Sequence, residues 1–438
     1  MIKIQSTTER IESKGGLLLA GKIAIAAGLL EIKSSAQKKA GEIITSIFAL
    51  MVEGKSNFES MGEKRSSLFF KEALGLSFVF AKETIRIYLE KIAQGSKDVI
   101  EQLHESTLKI IKEVKLTGYW IGKNIYIPVD IDTSVLDNSK TNKEGVSRTY
   151  QGVDGYHPIF AYIGKVGYML YCELREGSQH CQKGTVEFIT RVIEQLGKLK
   201  TRACYLFRLD AGNDAVETIK TIIEAGHKCI IKRNKRKESD ERWLKRAKKH
   251  GKQTNPRKGK KVWIGKIKIH PETMDCKISK AIYIVFEVTE RKIDAQGNKY
   301  LIPDIEVHSW WTNLDCRAEK VIKLYHAHAT SEQFHSELKH DLGVERLPSG
   351  KFAVNQILLA IAMNAFNTLR YLGQLSVSEE KKERDVTYER KRLGTVIREI
   401  ICIAGKLVQH GRSLIFKIYE KNPMLPLFLR LNAALDFA

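Results

Sequence analysis

The feature that most restricts the fold lies between residues 118 and 232, where a helical spacing of apolar residues gives way to short runs of Ile, Val, Tyr and Phe. NIYIPVDID, HPIFAYIG and GYMLYCELRE follow one another, the last two joined by a Gly-bearing turn, as antiparallel strands are. GTVEFITRVIEQLGKL then returns to helical spacing, RACYLFRLDAG reads as a buried strand, DAVETIKTIIEAG as another helix and KCIIK as a further strand. Such an order predicts an α/β core in which helices cover a sheet.

Strand, strand, strand, helix, strand, helix, strand is the order of a ribonuclease-H-like domain. The fold class expected is α/β, a ribonuclease-H-like catalytic core interrupted by a β-rich insertion and flanked by helical N- and C-terminal regions. Residues 1–117 are helical in pattern, and 118–232 hold the first part of the core. Residues 233–312 form a basic β-rich insertion, in which KRNKRKESDERWLKRAKKHGKQTNPRKGKK leads into KVWIGKIKIH, AIYIVFEVTERKI and IEVHSWWTNL. Residues 313–350 return to the core with a helix, and 351–438 are expected to be helical again, through VNQILLAIAMNAFNTLRYLG, a charged linker near 377–390, and TVIREIICIAGKLVQHG. A helix bearing Lys82, Arg86 and Lys91 after a turn-like GLS suits either a DNA-reading helix or a plain bundle with solvated lysines.

Lys and Arg outnumber Asp and Glu by 73 to 51, a formal charge of +22, so the expected partner is a polyanion, nucleic acid before a membrane surface. No apolar run is expected to be long enough to span a bilayer, and GGLLLAGKIAIAAGLL, interrupted by Lys22 and followed by Glu31, reads as a packed helix. The seven cysteines include no CxxC pair and read as reduced thiols of a cytoplasmic protein. Cys172, His180 and Cys181 lack a fourth ligand at zinc-site spacing.

Acids stand where phosphodiester chemistry needs them. VDID puts Asp130 and Asp132 on one face at the end of the first strand, because side chains alternate along a strand. FRLDAG ends the fourth strand on Asp210, costly to bury unless paired or metal-bound, although an aspartate there also suits a helix cap. In YHAHATSEQFHSELKHDLG, residues 325–343, Leu324, Ala327, Phe334, Leu338 and Leu342 make the core stripe. Tyr325, His328, Glu332 and Lys339 share a neighbouring arc of roughly 60°, from which Glu337 points away.

The spacing of Tyr325, His328, Glu332 and Lys339 resembles the tyrosine, arginine, glutamate, lysine pattern of bacterial insertion-sequence DDE transposases. VDIDTS and RLDAG resemble that family's two aspartate motifs, and SEQFHSELKHDLGVERLPSG resembles the glutamate region of its DDE domain group 1 branch. SKGGLLLAGKI, HPIFAYIG and LREGSQHCQKG are similar to the same branch. The resemblance implies that Asp132, Asp210 and Glu332 hold two Mg²⁺ ions, with Mn²⁺ as a substitute and Asp130 as the rival for the first place. It implies that Tyr325 and Lys339 contact phosphates of the transposon end, and His328 too, less firmly, because a largely neutral imidazole stands where arginine is usual. Trp311, beside Trp310, is expected to stack on an unpaired base, and Arg233, Lys235 and Arg236 of the insertion to bind DNA. The function implied is cleavage of inverted-repeat ends and their joining to target DNA. Residues 1–117 would bind the ends, 351–438 would serve synapsis as a homodimer on double-stranded DNA, and the setting would be cytoplasmic, at a bacterial nucleoid, with no membrane. The alternatives are a structure-selective nuclease of the same fold and a domesticated DNA-binding protein.

Overall fold

The computed structural model describes residues 2, 4–201, 203–269, 281–294, 296–381 and 388–436. The N-terminal third is helical, with α1 (Leu17–Ala26), α2 (Ala40–Val52), α3 (Lys82–Ala93) and α4 (Ser96–Lys112) as its longer elements. Lys82 and Arg86 of α3 are ion-paired with Glu59.

The change of period near residue 118 marks the start of a ten-stranded mixed sheet. Its Ile- and Val-rich strand β1 (Asn124–Thr133) pairs antiparallel with β2 (Ile159–Ile163), which carries β3 (Tyr168–Glu173) at the edge. Beyond β1, β4 (Cys204–Leu209) and β5 (Lys228–Lys232) run parallel to it. Parallel neighbours need a crossover, supplied here by the amphipathic helices α5 (Thr185–Lys198) and α6 (Val216–Glu224).

The insertion continues this sheet. After α7 (Asp240–His250) come β6 (Gly251–Arg257), β7 (Lys260–Ile269), β8 (Ile282–Ile293) and β9 (Lys299–Thr312). β9 pairs antiparallel with β5, so the order is β6-β7-β8-β9-β5-β4-β1-β2-β3, and the tenth strand, Tyr119–Ile121, pairs with β1 off this path. Much of the basic lead-in is α7, which Ser239 caps and which buries Trp243 and Ala247 against Trp263, Phe286 and Val288. Cys276 lies outside the described residues.

The chain returns through α8 (Ala318–His326) and α9 (Thr330–Ser336) to α10 (Phe352–Glu380). Contrary to the expectation of no such run, α10 is long and apolar enough to cross a bilayer, yet 83% of its most apolar window is buried inside the fold. Its buried asparagines tie it to its neighbours. Asn367 takes both backbone groups of Met169, at 2.8 Å each, where β3 slips register against β2, and Asn364 donates to the Leu103 carbonyl of α4 at 3.1 Å. One hydrophobic core accordingly runs from Leu17 in α1 through the sheet to Leu435.

The C-terminal region is not wholly helical. Gly405–His410 and Ser413–Ile418 form a hairpin joined by Arg10–Glu12. Two features missed in the sequence cause it: SLIFKI alternates exposed and half-buried residues, and Gly411, at φ 58°, makes the tight turn. The expected linker overlaps α10 as far as Glu380, and residues 382–387 lie outside the described residues.

Candidate active site

Asp130 and Asp132 face the same way from β1, but their surroundings differ. Asp130 is buried; Arg208, opposite it on β4, donates Nε and Nη2 to its two oxygens at 2.6 Å each. His328 Nδ1 lies 2.9 Å from the same carboxylate, and Arg208 Nη1 donates to the Leu324 carbonyl at 2.7 Å, near the C-terminal end of α8. Burial alone would push Asp130 up, but Arg208 and then His328 outweigh it and hold the carboxyl below its usual range.

Asp132 receives Ser331 Oγ at 3.2 Å, and His335 Nε2 lies 3.3 Å from the same oxygen. Burial works against its charge, while the hydrogen bond from His335 and the His335 and His328 rings bring it below the ordinary value. Asp210, just past β4, accepts Asn213 Nδ2 at 2.7 Å. A side chain at Gly212 would stand 3.3 Å from both Asp210 oxygens, so glycine keeps that carboxylate's space open. Asp210 is pushed up, first by burial and then by the charge of Asp132, the mark of two carboxylates in one field.

Asp132, Asp210, Tyr325, His328, Glu332 and Lys339 all line one cavity of about 700 Å³. The helical segment that contributes four of them is not uniform: α8 passes through a tight turn at Ala327–Ala329 into α9, then a wide π turn at Glu337–Asp341. Glu337, buried, anchors the wide turn to Arg370 at 2.9 Å, to Arg390, and to the Leu393 amide at 3.2 Å. Lys339 follows half-buried into the cavity, its ammonium lowered by burial. Phe334, Leu338 and Leu342 are core as expected; the tight turn leaves Ala327 half-buried and sends His328 inward.

Several expectations need correction. Asp130 is no rival for a metal, since Arg208 and His328 occupy its oxygens. His328, only 6% exposed where it lines the cavity, is turned onto Asp130 rather than held out to a phosphate. Trp310 is core, and Trp311 is pinned, its Nε1 donating to Asp214 at 2.8 Å and its ring under the Arg233 guanidinium at 4.7 Å. Arg233, between Trp311 and Trp243, pairs with Glu238 at 3.1 Å, and Lys235 pairs with Asp240 at 2.5 Å. Arg236 stands exposed and donates to the Asp214 carbonyl at 3.3 Å.

His335, Ser331, Arg208 and Tyr150 were missed. His335 follows His328 by seven residues, within about 20° on a helical wheel, so its place was legible. Arg208 interrupts the apolar run CYLFRL, and a charge there demands a partner. Tyr150, 69% exposed where it lines the cavity, lies in a turn that offers no periodic signal.

Among the described residues no three His, Cys, Asp or Glu side chains gather closely enough to form a ready metal cluster. Asp132 and Asp210 nonetheless fit a hard divalent cation, because they offer carboxylate oxygens and already repel one another. Glu332 lines the same cavity from an exposed position.

Fold and site together define an α/β protein with acids from two neighbouring strands and a returning helix around one cavity. The family described as transposase DDE domain group 1 matches residues 79–437, and the chain belongs to it. Among solved structures the chain is similar to a piggyBac transposase synaptic complex with hairpin DNA, determined by cryo-electron microscopy. The TM-score is 0.43 at 10% identity, over 89% of this chain and 80% of that one. No curated protein matches the chain.

Proposed function

We propose that this transposase binds the inverted-repeat ends of its element as a homodimer on double-stranded DNA, cleaves them and joins them to target DNA. The observation that carries the proposal is the shared cavity of Asp132, Asp210 and Glu332, with Tyr325 and Lys339 beside them. We take the core as ribonuclease-H-like, which the order β5-β4-β1-β2-β3 supports. Mg²⁺, or Mn²⁺ in its place, held by Asp132, Asp210 and Glu332, would supply Lewis-acid activation and stabilise the attacking and leaving oxygens.

The chain's own groups do the positioning. Ser331 and His335 orient Asp132, and the Arg208, Asp130 and His328 cluster fixes the end of β1 beneath it. Tyr325 and Lys339 donate to phosphate oxygens of the bound end. Tyr150, exposed at the cavity, takes the stacking role expected of Trp311. The net charge of +22 suits the polyanion, the N-terminal helices recognise its sequence, and the setting is the bacterial nucleoid.

The test is cleavage of duplexes carrying the element's ends, with Mg²⁺. Asp210→Asn and Glu332→Gln should abolish cutting and spare binding; a wild-type rate in either variant overturns the assignment.

A further inference from the structure

At the far end of the insertion the ladder between β8 and β9 is broken. Arg291 pairs with Asp304 and Ile293 with Lys299, so residues 300–303 of one strand stand opposite the single Lys292 of the other. Bulges re-aim side chains, and this one pushes an apolar group outward: Ile302 is 81% exposed, Leu301 wholly so, and Tyr300 also faces solvent. Single exposed apolar residues need no explanation, but a contiguous group on a protruding bulge marks a contact surface.

The surroundings indicate the partner. Lys260 lies opposite Arg291 in the sheet, and Lys258, Lys260, Lys261 and Lys292 line a cavity of about 370 Å³ at this same end. Arg291 takes Asp304 and Glu306, and among the described residues Lys258, Lys260, Lys292 and Lys299 have no acid partner. A second copy of this chain would bring the same lysines against them; a phosphate backbone complements them. Apolar wedges flanked by cations enter the minor groove and part base steps.

We propose that Leu301 and Ile302 are a minor-groove wedge for duplex DNA lying along the insertion. On β9, Ile302 lies nine positions before Trp311, whose indole bonds Asp214 near the catalytic cavity, a span of about 30 Å. That is about nine base pairs at ~3.4 Å each, so the wedge meets the duplex about one helical turn from the bond to be cut. The proposal rests on the transposase reading and deepens it.

The test uses full-length protein with Mg²⁺ and end duplexes that extend either about 5 or about 20 base pairs past the cut, lengths chosen to fall short of or pass the wedge. Leu301→Ser/Ile302→Ser should cut the short duplex as wild type does. On the long duplex it should bind about tenfold more weakly and lose the bend read by energy transfer between end labels, with its salt dependence unchanged. Lys258→Ala/Lys292→Ala should instead lower the salt slope by about two. Wild-type binding and bending of the long duplex by the double serine variant overturns the wedge. So does self-association of the wild-type protein without DNA that the serine variant loses, which assigns the bulge to a second copy. Failure of wild type to cut either duplex counts against the transposase reading, while the bend still decides the wedge.

Discussion

Arg208 holds both carboxylate oxygens of Asp130 at 2.6 Å, and this buried pair leaves Asp132, two residues on, as the acid that faces the cavity. Breaking a buried pair strands the remaining charge, at a cost of about 3–5 kcal/mol. Asp130→Ala should therefore destabilise the metal-free protein by about that amount. Asp132→Asn should cost less, because relief of the charge that pushes Asp210 up offsets part of what is lost with the His335 and Ser331 contacts. Urea unfolding of both variants with a chelator present makes the comparison, and equal losses would show that the two acids are not divided in this way.

His328 gives the pair a pH dependence. Burial lowers its pKa but Asp130 more than offsets this, so the folded value lies above the ordinary 6.5. Stability from a raised histidine is fully present below the unfolded value and is lost as pH rises through the folded one. Asp130, held below 3.8, contributes stability above that value that disappears as pH falls through its depressed folded value. The metal-free protein should thus lose stability as pH rises from about 6 toward 9, and His328→Gln should flatten that trend. Parallel denaturation midpoints for the two proteins across the range would remove the histidine from the account.

Metal binding has a readout that needs no DNA. A ligand that binds only the folded state at about 100 times its Kd adds ~2.7 kcal/mol. Mn²⁺ should raise the wild-type Tm in a concentration-dependent way, and Asp132→Asn and Asp210→Asn should each abolish the rise. An undiminished rise in both variants would place the ion elsewhere.

How much was legible depends on the kind of signal. The strands and helices from Asn124 to Lys232 follow apolar spacing, and the acids stand out because the runs they end, in β1 and β4, are mostly apolar. Tyr325, Glu332 and Lys339 share a cavity because a helical wheel tolerates one tight and one wide turn between them. Pairings between distant residues were not legible. Asp130 and Arg208 are 78 positions apart and meet only because β1 and β4 are parallel neighbours. The basic run around Arg233 read as a free cationic surface, whereas Trp243, Trp311 and Glu238 enclose that guanidinium.

The change of period near residue 118 is a boundary in the sequence without being a break in the packing. His104 of α4 stacks on Tyr171 of β3 at 4.0 Å, and the Leu103 carbonyl accepts from Asn364 of α10. Both helices bury apolar residues in the core that contains the sheet. Removing residues 1–117 would uncover a face of α10 that is apolar enough to suit a bilayer and would leave Asn364 short of an acceptor. The truncated chain should accordingly be aggregation-prone, bind a hydrophobic dye and lose near-ultraviolet circular dichroism, rather than persist as a folded catalytic core with weakened sequence preference. Substitution of exposed Lys91 on α3 is the gentler probe of end recognition, since it leaves that core intact. A truncated protein that unfolds cooperatively with native near-ultraviolet dichroism would show that the N-terminal helices are a separable domain after all.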